Sequence, residues 1–304
     1  MYNLTYPNRN IDILWNSDWV KFVVEMCMEH YSQKLSHTAL LINPNPAVTV
    51  FYKQKYQDQK VILYNLEHHY PCKGLMPNNI NKTWYGYLVE QIPYADEIWD
   101  FNIEDYIFYE RHGAADKFIF MPLRYTTWFE RFHSNKEPRY ELELEAVFDT
   151  QLRVNIIHAL TTAYANEKRL KLKLANTDDM DVKYSDKLDA KWNLDVPHWD
   201  DEETINVTRI CESICLNKPV ICFDLYNVGS HAYFDDLVVY TRDLSSKRVK
   251  ELVDMDPPQN VAQRFKDMTY LPNNYEEYRR KIKEDFERIA NIKIPDSVLR
   301  NPLQ

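Results

Sequence analysis

Arg209 and Glu212 stand one helical turn apart in the run Val207-Thr208-Arg209-Ile210-Cys211-Glu212. A guanidinium grips a diphosphate and a carboxylate accepts from the hydroxyls of a pentose, so this pair has the chemistry to hold a nucleotide. The same spacing also suits a plain surface ion pair, worth roughly 0.2–0.5 kcal/mol.

The elements that must position the pair form a βαβ unit: a buried strand over 192–196, an acidic loop, an amphipathic helix over 204–216 and a second buried strand over 220–224. Val207, Ile210, Cys211, Ile214 and Cys215 recur on one helical face, while Thr208, Arg209 and Glu212 lie off it, so one side is expected to pack and the other to bind. Asp200, Asp201, Glu202 and Glu203 complement the helix's positive end, and Asn217-Lys218-Pro219 supplies a left-handed stop. Ligands of open parallel sheets sit beyond the carboxyl ends of the strands, where such a helix begins.

The run VTRICESICLNKPVICFD (207–224) resembles the nucleotide-sugar-binding segment of two-domain, GT-B-type glycosyltransferases. Its R-x-x-E spacing is similar to that in phage DNA-base glucosyltransferases and in bacterial and viral polysaccharide glycosyltransferases. The resemblance implies an α/β fold of two Rossmann-like domains facing each other across a cleft, with a C-terminal helix crossing back to the first. It also implies that Arg209 neutralises the donor's diphosphate, that Glu212 holds its ribose, and that Thr208 belongs to the same donor site. The implied domains are 1–136 on the acceptor side, 137–272 for the nucleotide sugar, and a helical segment over 273–304.

A second stretch supports the resemblance. The apolar strand VILYNL (61–66) ends in Glu67-His68-His69-Tyr70-Pro71, which puts polar groups at a carboxyl strand end. In the DNA-base glucosyltransferases an analogous strand end carries a catalytic aspartate followed four residues later by proline. Glu67 and Pro71 keep that spacing with a longer carboxylate, which makes Glu67 the candidate base. His68 and His69 are adjacent and point to opposite faces of an extended segment, so they do not chelate one metal together. With His198 they are candidate sugar or acceptor contacts, or loop residues that pack.

The remaining candidates come from the second half. Thr150 can cap a helix over 151–164, which places Arg153 in its first turn. In the proteins resembled a corresponding arginine reaches the diphosphate, commonly beside a glycine-containing loop, whereas this chain has Asp149-Thr150 there. Asp179-Met180-Asp181 matches the metal-binding D-x-D of the other glycosyltransferase architecture only superficially, and no metal or other cofactor is expected.

Composition narrows the field. A chain of 304 residues with 45% hydrophobic content can bury two cores. A net charge of −9 argues against broad affinity for nucleic acid or acidic membranes, which favours a glycan over DNA as acceptor. Five cysteines without a C-x-x-C, no N-terminal signal and no long apolar stretch point to a cytoplasmic protein with no membrane span, peripheral association remaining open. With only four glycines the chain has neither a G-x-G-x-x-G fingerprint nor a phosphate loop, and it has no G-x-S-x-G elbow.

Along the chain, strands are expected over 11–15, 38–42, 48–52, 61–66, 97–101 and 117–121, with helices over 18–33, 82–91 and 103–111. The polar run 134–145 is expected as the linker, followed by strands over 144–148, 170–174 and 236–241. Helices are expected over 246–253 and 261–268, then a charged, largely exposed one over 275–292. The expected function is metal-independent, inverting transfer of a sugar from a nucleotide-diphosphate donor to a hydroxyl acceptor in polysaccharide biosynthesis. A nucleotide-sugar epimerase, a DNA-base glycosyltransferase and a non-catalytic nucleotide-sugar-binding protein are the alternatives.

Overall fold

Apolar runs alternating with amphipathic stretches give alternating strands and helices. The computed structural model describes residues 2–6, 11–15, 21–55, 57–66, 88–133, 136–146, 151–164, 170–174, 180–196, 206–223, 234, 236–243 and 245–302. Over these residues the chain is α/β, and it divides into two units, Met1–Leu123 with Glu276–Gln304 and Arg124–Tyr275.

In the first unit, β1 (Tyr2–Tyr6) pairs antiparallel with β2 (Ile11–Trp15), and β2 is followed by α1 (Lys21–His30), β3 (Thr38–Ile42), α2 (Pro46–Lys55) and β4 (Lys60–Asn65). Then come β5 (Glu97–Asp100), α3 (Tyr106–Arg111) and β6 (Phe118–Phe120). From β2 onward the strands are parallel and lie side by side in chain order. The runs TALLI and VILYN are buried along their length, as strands covered on both faces must be.

The expected strand over 48–52 is instead part of α2. Asn45 accepts from the Ala47 N–H at 3.0 Å, and Pro46 takes the first helical position, where its missing N–H is not needed. The helix buries Thr49 and Tyr52 and leaves Phe51 half exposed, a spacing of three that an alternating strand would not give.

The second unit contains β7 (Tyr140–Ala146), α4 (Gln151–Tyr164), β8 (Leu170–Leu174), α5 (Met180–Leu188), β9 (Ala190–Asp195), α6 (Val207–Cys215), β10 (Val220–Phe223), β11 (Val238–Thr241), α7 (Ser246–Asp254) and α8 (Val261–Thr269). Its five parallel strands lie in the order β11-β10-β9-β7-β8. The chain steps from β7 outward to β8, then returns past β7 to β9 and continues the other way. Right-handed crossovers therefore put α4 on one face of the sheet and α5 and α6 on the other.

Strand β7 corrects the expectation of a linker over 134–145. Its glutamates alternate with leucines, and the period is that of a strand. Leu142 and Leu144 join Trp192, Ile221, Leu160 and Val253 in the apolar core, while Glu143 is buried on the opposite face. From sequence the first domain is expected to end at 136, whereas the contacts divide the chain at 123/124. The difference is the segment Thr127–Phe132, whose Trp128, Phe129 and Phe132 rings pack on Tyr184 of α5.

The last helix, α9 (Pro272–Ala290), passes into the first unit at Glu276. More than half of its residues are exposed, as expected of a charged surface helix, but its buried stripe also carries charge. Arg279 is completely buried and donates to the carbonyls of Phe120 at 2.8 Å and Leu299 at 3.2 Å, with Glu276 as its counter-ion at 2.9 Å. Carbonyls at the end of β6 and in the C-terminal turn need donors, and a guanidinium supplies several at once.

Candidate functional site

The second sheet reverses its direction of winding between β7 and β9, and at such a reversal the flanking crossovers leave on opposite faces and open a crevice at the carboxyl edge. Here the face under α5 and α6 is polar. Glu143 lies directly opposite Asn193, and Asp195 opposite Cys222, one pleat nearer the carboxyl edge. A small cavity there, with room for about one water, is lined by Glu143, Lys187, Asn193, Asp195, Arg209 and Ser213 among others.

Asp195 is the centre of this arrangement. It is 5% exposed, and one of its oxygens, Oδ2, accepts from the Asn206 N–H at 3.3 Å and from the Cys222 thiol at 3.8 Å. The other, Oδ1, has no hydrogen-bond partner among the described residues. Burial pushes its carboxyl up to about 6, against the pull of Arg209, the Asn206 N–H, Arg153 and Lys187. Three cations from α4, α5 and α6 thus act on one carboxylate at the strand end.

Helix α6 is aimed by its cap. Asn206 accepts from the Arg209 N–H at 3.1 Å, the Thr208 hydroxyl donates to the same Asn206 oxygen at 3.3 Å, and the Asn206 backbone is tied to Asp195. The expectation of one packed and one free side fails for this helix. Every residue from Val207 to Cys215 except Arg209 is buried, because α8 and the segment Thr127–Phe132 cover what the sheet does not.

Arg209 and Glu212, expected as a pair, have different surroundings. Arg209 lines the cavity with Asp195. Glu212 is 3% exposed and faces α5: Oε1 accepts from Lys183 at 2.9 Å and from Tyr184 OH at 3.0 Å, and Oε2 lies 3.5 Å from Lys187. Thr208, also buried, acts in the cap. Arg153 sits in the first turn of α4 as expected and is buried.

Glu67, His68, His69 and His198 lie outside the described residues, as do Asp149 and Thr150. Asp179 is also outside them, and Asp181 falls within α5. Among the described residues no group of three His, Cys, Asp or Glu side chains could hold a metal ion, and no helix is long and apolar enough to cross a membrane.

Sequence alone did not find Lys183, Lys187, Asn193, Asp195 or Glu143. Helix α5 carries two lysines and a tyrosine on its buried stripe, so hydrophobic periodicity cannot reveal it. The available signal was Asn193 and Asp195 alternating with Trp192 and Leu194, polar residues at the inward positions of an otherwise buried strand.

No family model matches the chain, and no curated protein does. Among solved structures it is similar to HepE from Anabaena, determined with UDP and glucose, with a TM-score of 0.46 at 10% identity over 88% of this chain and 80% of that one. A UDP-GlcNAc 2-epimerase from Neisseria meningitidis, bound to UDP-GlcNAc, gives a TM-score of 0.39 at 11% identity over 98% and 84%. UGT2 from Phytolacca americana, complexed with UDP-2fluoro-glucose and pterostilbene, gives 0.37 at 12% identity over 88% and 74%. These likenesses are remote.

Proposed function

We propose that the chain is a glycosyltransferase that moves a sugar from a nucleoside-diphosphate donor to a hydroxyl acceptor, with the second unit holding the donor. The observation that carries this reading is that Arg209 lines a cavity with Asp195 at the end of β9, beside the place where the winding of the sheet reverses, with Arg153 also acting on that carboxylate. Guanidinium groups there neutralise a departing diphosphate without a metal. In this reading the bond from the anomeric carbon to the diphosphate oxygen breaks and the diphosphate leaves with the electron pair. The acceptor oxygen attacks from the opposite side, and its proton passes to a base, for which Glu67 is the candidate.

The acceptor in this reading is a glycan, since a chain of net charge −9 is poorly suited to DNA. The buried free thiols Cys27, Cys211, Cys215 and Cys222 suit a reducing, cytoplasmic setting.

A thermal-shift screen of the full chain against UDP-, GDP-, TDP- and CMP-sugars tests the reading. A donor at a hundred times its Kd stabilises the folded state by about 2.7 kcal/mol, so one class should raise the melting temperature clearly. The donor so found should then release free nucleotide and glycosylate an acceptor. A changed sugar with no nucleotide released would instead mark an epimerase, and no shift with any donor would overturn the proposal.

A further inference from the structure

We propose that Asp195, with Asn193 behind it, is a hydroxyl-accepting subsite that makes the second unit selective for a ligand carrying hydroxyls beside its phosphates. This rests on reading the cationic edge as the place of a diphosphate. Two oxygens motivate it. Asp195 Oδ1 and Asn193 Oδ1 are both buried, lie two residues apart on one face of β9, line the same cavity, and have no hydrogen-bond partner among the described residues. A buried acceptor left without a donor is destabilising, and a ligand that donates relieves that.

The charges say which part of the ligand meets these oxygens. A carboxylate repels a phosphate, so the phosphates belong against Arg209 and Arg153, and the group that reaches Asp195 must donate. Asn193 is fixed for acceptance, because its Nδ2 already donates to Ser213 Oγ at 3.0 Å and only Oδ1 is left over. Two other carboxylates lie nearby: Glu212, with both oxygens engaged by α5, and Glu143, which lines the same cavity.

Those hydroxyls can come from the pentose of the nucleotide or from the transferred sugar, and the ligands separate the two. At pH 8, where Asp195 is ionised, calorimetry on the full chain compares UDP or whichever nucleoside diphosphate binds, its 2′-deoxy analogue, its sugar conjugate and inorganic pyrophosphate. Each is measured with the wild type, Asp195→Ala and Asp195→Asn, with folding verified by circular dichroism. If the pentose donates, the wild type prefers the ribonucleotide over its deoxy analogue by about tenfold or more, and Asp195→Ala removes the preference. If the sugar donates, the loss falls on the increment between nucleotide and nucleotide sugar.

In either case Asp195→Ala leaves pyrophosphate binding unchanged or tighter, because a negative charge beside the anion is gone. Asp195→Asn retains a weaker preference, which keeps the test sound if the alanine variant folds poorly. Wild-type preferences in both variants would overturn the subsite while leaving the donor site standing. Binding of neither nucleotide nor pyrophosphate to the wild type would overturn both.

Discussion

Two buried aspartates close strands in the two sheets, Asp100 at the end of β5 and Asp195 at the end of β9, and burial raises both carboxyls, to about 7 and about 6. Their company differs. Asp100 is surrounded by neutral donors: Asn65 at 2.7 Å, Tyr109 OH at 2.9 Å and the Asn102 N–H at 2.9 Å. Asp195 has cations from three helices and one oxygen left over. The sheets differ to match, since the first is wound in one direction over its described strands and the second reverses beside Asp195. A buried carboxylate at a strand end is therefore not in itself a site. What distinguishes Asp195 is unspent hydrogen-bonding capacity at a place where the winding opens a crevice.

The largest expected effect would show how much of the second unit's charge is structural. Replacing Glu212 by alanine leaves Lys183 and Lys187 buried without their shared counter-ion, and breaking a buried pair of this kind costs about 3–5 kcal/mol. Denaturant unfolding should show this loss, and the additional change Lys187→Met should recover part of it. A Glu212→Ala protein as stable as the wild type would mean that these lysines find other partners, and the division between Glu212 and Asp195 would then weaken.

The next effect concerns binding and separates the two aspartates directly. Arg209→Ala should weaken nucleotide affinity by about 10–100-fold, the range expected on losing charge-assisted hydrogen bonds to a phosphate. Asp100→Asn should leave affinity within experimental error. Equal losses in both, measured by calorimetry, would remove the distinction.

Much of this was legible before the fold was known, and the gaps have physical causes. Helix α4 has its expected bounds because Thr150 and the apolar spacing of QLRVNIIHAL are ordinary signals, and α6, expected over 204–216, spans Val207–Cys215 because five apolar residues mark one face. Strand β7 is expected too late, over 144–148 where it spans Tyr140–Ala146, and helix α5 is not expected at all, because each buries charge. Glu143 and the stripe Lys183, Tyr184, Lys187 read as solvated polar residues unless their partners on neighbouring elements are known. Patterning locates elements that pack through apolar surface, and it is blind to elements that pack through paired ions. Glu143 and Lys187, which line the cavity, stand on those two elements.

A smaller effect tests Asp100 alone. Tyr109→Phe removes one of its donors and should cost about 1–2 kcal/mol with no change in nucleotide affinity. That donor favours the ionised form, so its loss should move the Asp100 carboxyl above about 7. The sign of the pH dependence follows. A carboxyl raised on folding binds more protons in the native than in the unfolded chain. Its contribution to stability is therefore complete below the ordinary value of 3.8 and is lost as the pH rises through the folded value. Stability should fall between about pH 4 and pH 7, and Asp100→Asn should flatten that fall.

The smallest effect is a fraction of a proton, and it reports on Asp195 alone. A diphosphate held by Arg209 and Arg153 brings more than one negative charge close to a carboxyl that already titrates at about 6. Whatever part of that charge the arginines leave unneutralised favours the protonated form of the carboxyl. The carboxyl should therefore shift upward on binding, and the complex should take up part of a proton between about pH 6 and pH 7. Calorimetry in buffers of different ionisation enthalpy measures that uptake, and comparing the wild type with Asp195→Asn removes the ligand's own titration. Asp100 has no part in it, so Asp100→Asn should show the wild-type uptake. Equal uptake in the wild type and Asp195→Asn would mean that the bound charge lies away from the end of β9, and the contrast between the two aspartates would lose its functional half.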